Sequence, residues 1–207
     1  MDCSFQPHAT ICGHSFVSHL RHFTNASTNH FNDNLGLQNV SIEWRSKGGK
    51  TWSEFERLDY QYIVLTKPTI LYVELGGNDL DSDICAHALA QKALDLAEQL
   101  VQNGISRIIL GEVMQRYKTR NIPTCTYNAK VKDYNNFLRE KLMDPACPRK
   151  SEDRFLHRHI WFWDHLRLKV CHLPLLKEDG VHLTDNPGNK RLYRSIRLAL
   201  MQALALS

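Results

Sequence analysis

Thr69-Ile-Leu-Tyr-Val-Glu-Leu-Gly-Gly-Asn-Asp79 is the stretch that decides the architecture of this chain. From Thr69 to Leu75 it is almost continuously apolar and rich in β-formers, the pattern of a central parallel strand covered on both faces. Gly76-Gly77 ends the run, which leaves Asn78 at the carboxyl end of a strand. Beyond it Leu89, Ala93, Leu96 and Leu100 recur at helical spacing and stop at Gly104, so a long amphipathic helix follows, with Asp81, Ser82 or Asp83 as its cap.

Working outward, the same alternation repeats. His8 to Cys12 is a short apolar run broken by Gly13-His14-Ser15, after which Phe16, Leu20 and Phe23 read as a helix. Val40 to Trp44 alternates as a second strand and ends in Gly48-Gly49-Lys50-Thr51, where Thr51 suits the cap of a helix through Phe55 and Leu58. Arg107 to Val113 is a fourth strand, followed by a helix from about Tyr127 that turns Val131, Tyr134, Leu138 and Leu142 inward. His159 to Trp163 is the fifth, and Asn186-Pro-Gly introduces a last helix with Leu192, Ile196, Leu200 and Ala203 inside. Five strands alternating with helices predict an α/β fold, a parallel sheet wrapped on both faces. Residues 1–207 are expected to form a single domain.

Composition sets outer limits. Hydrophobic residues are 43% and charged residues 23% of the 207, an ordinary globular balance. The formal net charge of +4 is interspersed, so nucleic acid is a possible partner that nothing indicates. The densest basic patch, Lys190, Arg191, Arg194 and Arg197, reads as a solvated helix face or a phosphate contact. No apolar run is long enough to span a bilayer and Met1 to Thr10 lacks a signal-peptide pattern, so an intracellular protein is expected. The six cysteines show no C-x-x-C spacing and read as separate thiols. A zinc site from Cys171, His172 and the His157/His159 pair matches no standard ligand spacing, and no metal or other cofactor is expected.

Chemistry gathers at one edge. Ligands of such sheets lie outside the carboxyl ends of the strands, and Ser15, Gly49, Asn78 and Glu178-Asp179-Gly180-Val181-His182 follow four different predicted strands there. Asp179 and His182, three apart across a glycine, can form a pair in which the carboxylate fixes the imidazole tautomer. Ser15 stands where a strand becomes a helix and unpaired N–H groups welcome negative charge, although an N-cap serine fits the same position. Gly48 and Gly49 can be oxyanion donors or simply a turn.

Together G-H-S-F, G-G-K-T, G-G-N-D and D-G-V-H resemble, in order and across nearly the whole chain, the SGNH (GDSL-type) hydrolases. That resemblance implies a flavodoxin-like three-layer α/β/α fold and cofactor-independent esterase or acetylhydrolase chemistry on a small-molecule ester. It implies Ser15 as nucleophile, Asp179 and His182 as its partners, and Ser15, Gly49 and Asn78 as oxyanion donors. Gly49 is preferred to Gly48 because the family's glycine commonly precedes a Thr by two positions. His14 departs from the family's usual G-D-S, so the hydrogen bonding of that turn must differ. The segments Asp179 to Thr184 and Lys190 to Arg197 also look like the SGNH-type esterase domains of animal retroelement reading frames. An SGNH-fold binding or assembly module, of mobile-element origin with nucleic-acid contacts, is the alternative.

Overall fold

The computed structural model describes residues 6–26, 31–143, 159–166, 168 and 175–205. Strands β1 (His8–Gly13), β2 (Ser41–Ser46), β3 (Ile70–Glu74), β4 (Ile108–Gly111) and β5 (Ile160–Trp163) pair in the order β2-β1-β3-β4-β5. Every pairing is parallel. This is the flavodoxin-like order, with its switch point at β1 and β3, between which the connections diverge.

Burial explains which strand sits where. Each residue of β3 is buried, while β2 buries only Trp44 outright and β5 alternates buried with half-buried residues. A strand flanked on both sides has no solvent face, and an edge strand can afford polar residues such as Ser41, Glu43 and Arg45.

Helices α1 (Ser15–Ala26), α2 (Trp52–Leu58), α3 (Tyr60–Thr66), α4 (Ala86–Gln102), α5 (Thr124–Met143) and α6 (Lys190–Ala205) complete three layers. One apolar cluster joins Phe55, Ile63, Leu89, Ala93, Tyr134 and Leu138 beneath α2 to α5. The other joins Phe16, Leu20, Leu192, Ile196 and Leu200 beneath α1 and α6. The apolar stripes read from spacing in α4, α5 and α6 are all buried. Among the described residues no helix is long and apolar enough to cross a membrane.

Thr51 caps α2 as expected, in a full capping box with Glu54. The cap assigned to α4 is wrong. That helix begins at Ala86, with Cys85 in the cap position and no side-chain cap bond. Asp81 is occupied elsewhere, accepting the backbone N–H groups of Arg120, Asn121 and Ile122, and the Ser82 hydroxyl donates to the Asp79 carbonyl. Cys12, Cys85 and Cys125 are free thiols; Cys3, Cys147 and Cys171 lie outside the described residues. So do His157 and His172 of the candidate zinc set, and His159 is hydrogen-bonded to the Ser106 carbonyl.

Candidate active site

Ser15 is the first residue of α1, not its cap. The Ser18 N–H donates to the His14 carbonyl and the Phe16 N–H to His14 Nδ1, so His14 takes the capping position. The serine hydroxyl is thereby released from the helix end. This also answers how the turn accommodates an imidazole where the family has an aspartate. His14 is 1% exposed. Burial lowers its pKa to about 4, against the opposing pull of the Glu74 carboxylate, so it stays neutral.

The Asp179–His182 pair forms as the spacing promised. Asp179 Oδ1 accepts the N–H groups of Val181 and His182, each at 2.8 Å, and Oδ2 lies 2.7 Å from His182 Nδ1. Partial burial disfavours the carboxylate charge, but those donors and the imidazole hold its pKa down at about 2. An ionised Asp179 places the ring proton on Nδ1 and leaves Nε2 free to accept one. Gly180 makes the turn possible, since its φ is +67° and any side chain would strike Lys118. Its carbonyl accepts the Tyr117 N–H at 2.8 Å, which docks the turn on the loop after β4.

His182 lies over the first turns of α1. The His19 ring stacks on it at 4.3 Å between centroids and 8° between planes, and the Phe16 ring meets it edge-on at 6.3 Å. Ser15 and His19, four residues apart, share a helix face, so the serine faces the same side as the imidazole. Burial lowers the pKa of His19, and the neighbouring His182 lowers it further.

Asn78 is held by both ends of its amide. Nδ2 donates to the Lys50 carbonyl at 3.0 Å and Oδ1 accepts from Arg116 Nη2 at 3.1 Å. The guanidinium can only donate, so the amide orientation is fixed, and one Nδ2 hydrogen is left over. The glycine loop beside it is anchored through Lys50, whose ammonium binds Asp59 at 2.8 Å and the Arg45 carbonyl at 2.9 Å. Gly49 has φ +77°, while Gly48 does not need a left-handed backbone. Asp79 accepts the Trp52 N–H and so ties the G-G-N-D turn to the start of α2.

Ser15, Gly48, Gly49, Asn78, Asp179 and His182 border one open cavity of about 800 Å³. Residues read from four separate segments of the carboxyl edge therefore line the same cavity. No hydrogen bond joins the Ser15 hydroxyl to His182 among the described residues. Sequence reasoning missed His19, Arg116 and Asp79. His19 and Arg116 carried a signal, one at Ser15 plus four and the other opening a run of alternate cations.

Comparison with family models and with curated proteins gives no match. Solved structures do align. A GDSL-like lipase from Bacteroides thetaiotaomicron has a TM-score of 0.65 at 15% identity, with 96% of this chain and 89% of that one covered. The lipase/acylhydrolase from Enterococcus faecalis gives 0.61 at 15%, covering 94% and 95%. A carbohydrate esterase family 3 protein from Talaromyces cellulolyticus gives 0.62 at 14%, covering 95% and 97%. Sheet order, layers and these alignments agree: the chain has the three-layer fold of the SGNH, GDSL-type hydrolases.

Proposed function

We propose that this protein is a serine esterase that hydrolyses a small acyl ester through a covalent acyl-enzyme. The observation that carries the reading is the opening of Ser15 and the Asp179-bound His182 onto one cavity beside the Asn78 amide. The lipase, acylhydrolase and esterase that share the fold support it.

The chemistry follows from the atoms present. His182 Nε2 takes the proton from Ser15 Oγ as that oxygen attacks the ester carbonyl, and Asp179 stabilises the imidazolium. The N–H groups of Ser15 and Gly49 and the spare Nδ2 hydrogen of Asn78 receive the oxyanion. Collapse of the intermediate expels the alcohol, which takes the proton from His182. Water activated by the same imidazole then releases the acid and restores Ser15.

The test is turnover of p-nitrophenyl acetate by purified protein. A burst followed by steady release is expected, and Ser15→Ala should abolish both while the circular dichroism spectrum is unchanged. Persistent turnover in that variant removes Ser15 as nucleophile. A folded wild-type protein with no activity on any ester would leave the binding-module alternative, for which salt-dependent nucleic-acid affinity is the measurement.

A further inference from the structure

Between β4 and α5 cations recur at alternate positions: Arg116, Lys118 and Arg120. All three border the cavity of Ser15 and His182. The segment that carries them is clamped from two sides. Arg120 and Asn121 donate their N–H groups to Asp81 at 2.9 and 3.1 Å, and Tyr117 and Lys118 donate theirs to the Gly180 carbonyl. The cations thus stand on a tethered wall that also touches the Asp179–His182 turn.

Among the described residues none of the three forms an ion pair with a carboxylate, although the Arg116 guanidinium lies 5.2 Å over the Tyr127 ring. Of the two acids bordering the cavity, Asp81 is committed to backbone N–H groups and Asp179 to His182. Arg116 is the sharpest case. It is 5% exposed, spends one Nη2 hydrogen on Asn78 Oδ1, and its Nε is buried with no partner. Removing a guanidinium from water without a counter-charge is strongly unfavourable. A single transient oxyanion at Asn78 does not answer three cations.

We propose that the preferred substrate is an ester bearing a negative charge, a carboxylate or phosphate, bound against Arg116, Lys118 and Arg120. The proposal rests on the esterase reading and names its substrate class. A guanidinium presents paired donors that match either anion. Lys118, whose ammonium also reaches the Glu178 carbonyl at 3.0 Å, adds a point charge at the rim.

The experiment compares esters of similar size and different charge. On the acyl side p-nitrophenyl hydrogen succinate is set against p-nitrophenyl butyrate; on the alcohol side 4-acetoxybenzoate is set against its methyl ester. In at least one arm kcat/KM for the anion should exceed that for the neutral partner by about tenfold or more at low ionic strength. The ratio should shrink as salt rises. The arm that responds tells which half of the ester bears the charge. Lys118→Glu combined with Arg120→Glu should bring the ratio to about one or below. Lys141→Glu, in the last turn of α5, should leave it unchanged. Equal turnover in both arms, or a preference that survives the double substitution, overturns the proposal and spares the esterase. Turnover of neither member of any pair overturns the esterase reading and this one with it.

Discussion

Two of the carboxylate–imidazole–hydroxyl sets among the described residues differ in access. At the cavity, Asp179 and His182 have side chains 45% and 23% exposed, and the Ser15 hydroxyl beside them is not engaged by His182. In the interior, His165 Nε2 lies 3.2 Å from Glu74 Oε2 and its Nδ1 lies 2.8 Å from Ser195 Oγ, with both Glu74 and His165 side chains 1% exposed. The Tyr72 hydroxyl donates to the same Glu74 oxygen and the Trp163 indole donates to Ser195. Residue types are nearly identical, but in the interior set hydroxyl and imidazole bond one another, and acid and imidazole are both buried. Exposure separates a set that can meet a ligand from one that only holds the fold together; a Ser, His and acid in contact are equally good as cement.

The largest expected effect breaks this contrast directly. Ser15→Ala should lower kcat by about 10⁴-fold or more, the scale on which a lost nucleophile is felt. Ser195→Ala should leave kcat within about threefold of wild type and lower the urea midpoint, since a buried donor and acceptor lose their partner at a cost of about 1–3 kcal/mol. If Ser195→Ala abolished ester turnover without unfolding the chain, the roles of the two sets would have to be exchanged.

Asn78→Ala comes next, with kcat expected to fall about 10²–10³-fold, or about 2.7–4 kcal/mol, when one oxyanion donor is removed. A change confined to KM would demote Asn78 to substrate binding. Glu74→Gln in the interior set should instead cost stability, about 1–3 kcal/mol, because the buried acceptor shared by His165 and Tyr72 becomes an amide. Burial raises the pKa of Glu74, and His165 with the Tyr72 hydroxyl more than reverses that, so the group is ionised and its charge is the thing removed.

The two regions also differ in how far they could be read from sequence. The Asp179–His182 pair is legible because its contacts span two or three residues, so spacing alone defines them. Strand β3 was legible because a doubly covered strand has a composition of its own. In the interior set Glu74 meets His165 from 91 positions away, and His165 meets Ser195 from 30, distances at which no local pattern survives. The same reason explains the misplaced cap of α4, where Asp81 bonds a loop some 40 residues on. It explains too why α2 and α3 are separate helices. Asp59 ends one and starts the other, and its carboxylate is drawn to Lys50 and Arg45.

The smallest expected effect tests the ground between the regions, where His14 and Asp79 are the chain neighbours of Ser15 and Asn78. His14 has a folded pKa of about 4, below the usual imidazole value, because burial disfavours its charge. The stability it contributes is present above pH 6.5 and is lost as pH falls through 4. Asp79 has its pKa raised by burial to about 6, so its contribution runs the other way, present below 3.8 and lost as pH rises through 6. Each is worth on the order of 2–3 kcal/mol over its window, and between pH 4 and 6 they oppose one another. Asp79→Asn keeps an acceptor for the Trp52 N–H and removes one member of the balance. On acidification from pH 7 to pH 4.5 the variant should therefore lose about 2 kcal/mol more than wild type, read from urea midpoints at both pH values. Parallel losses in the two proteins would mean that Asp79 ionises as freely in the folded chain as in the unfolded one, and that its place beside Trp52 is not the dry one the fold gives it.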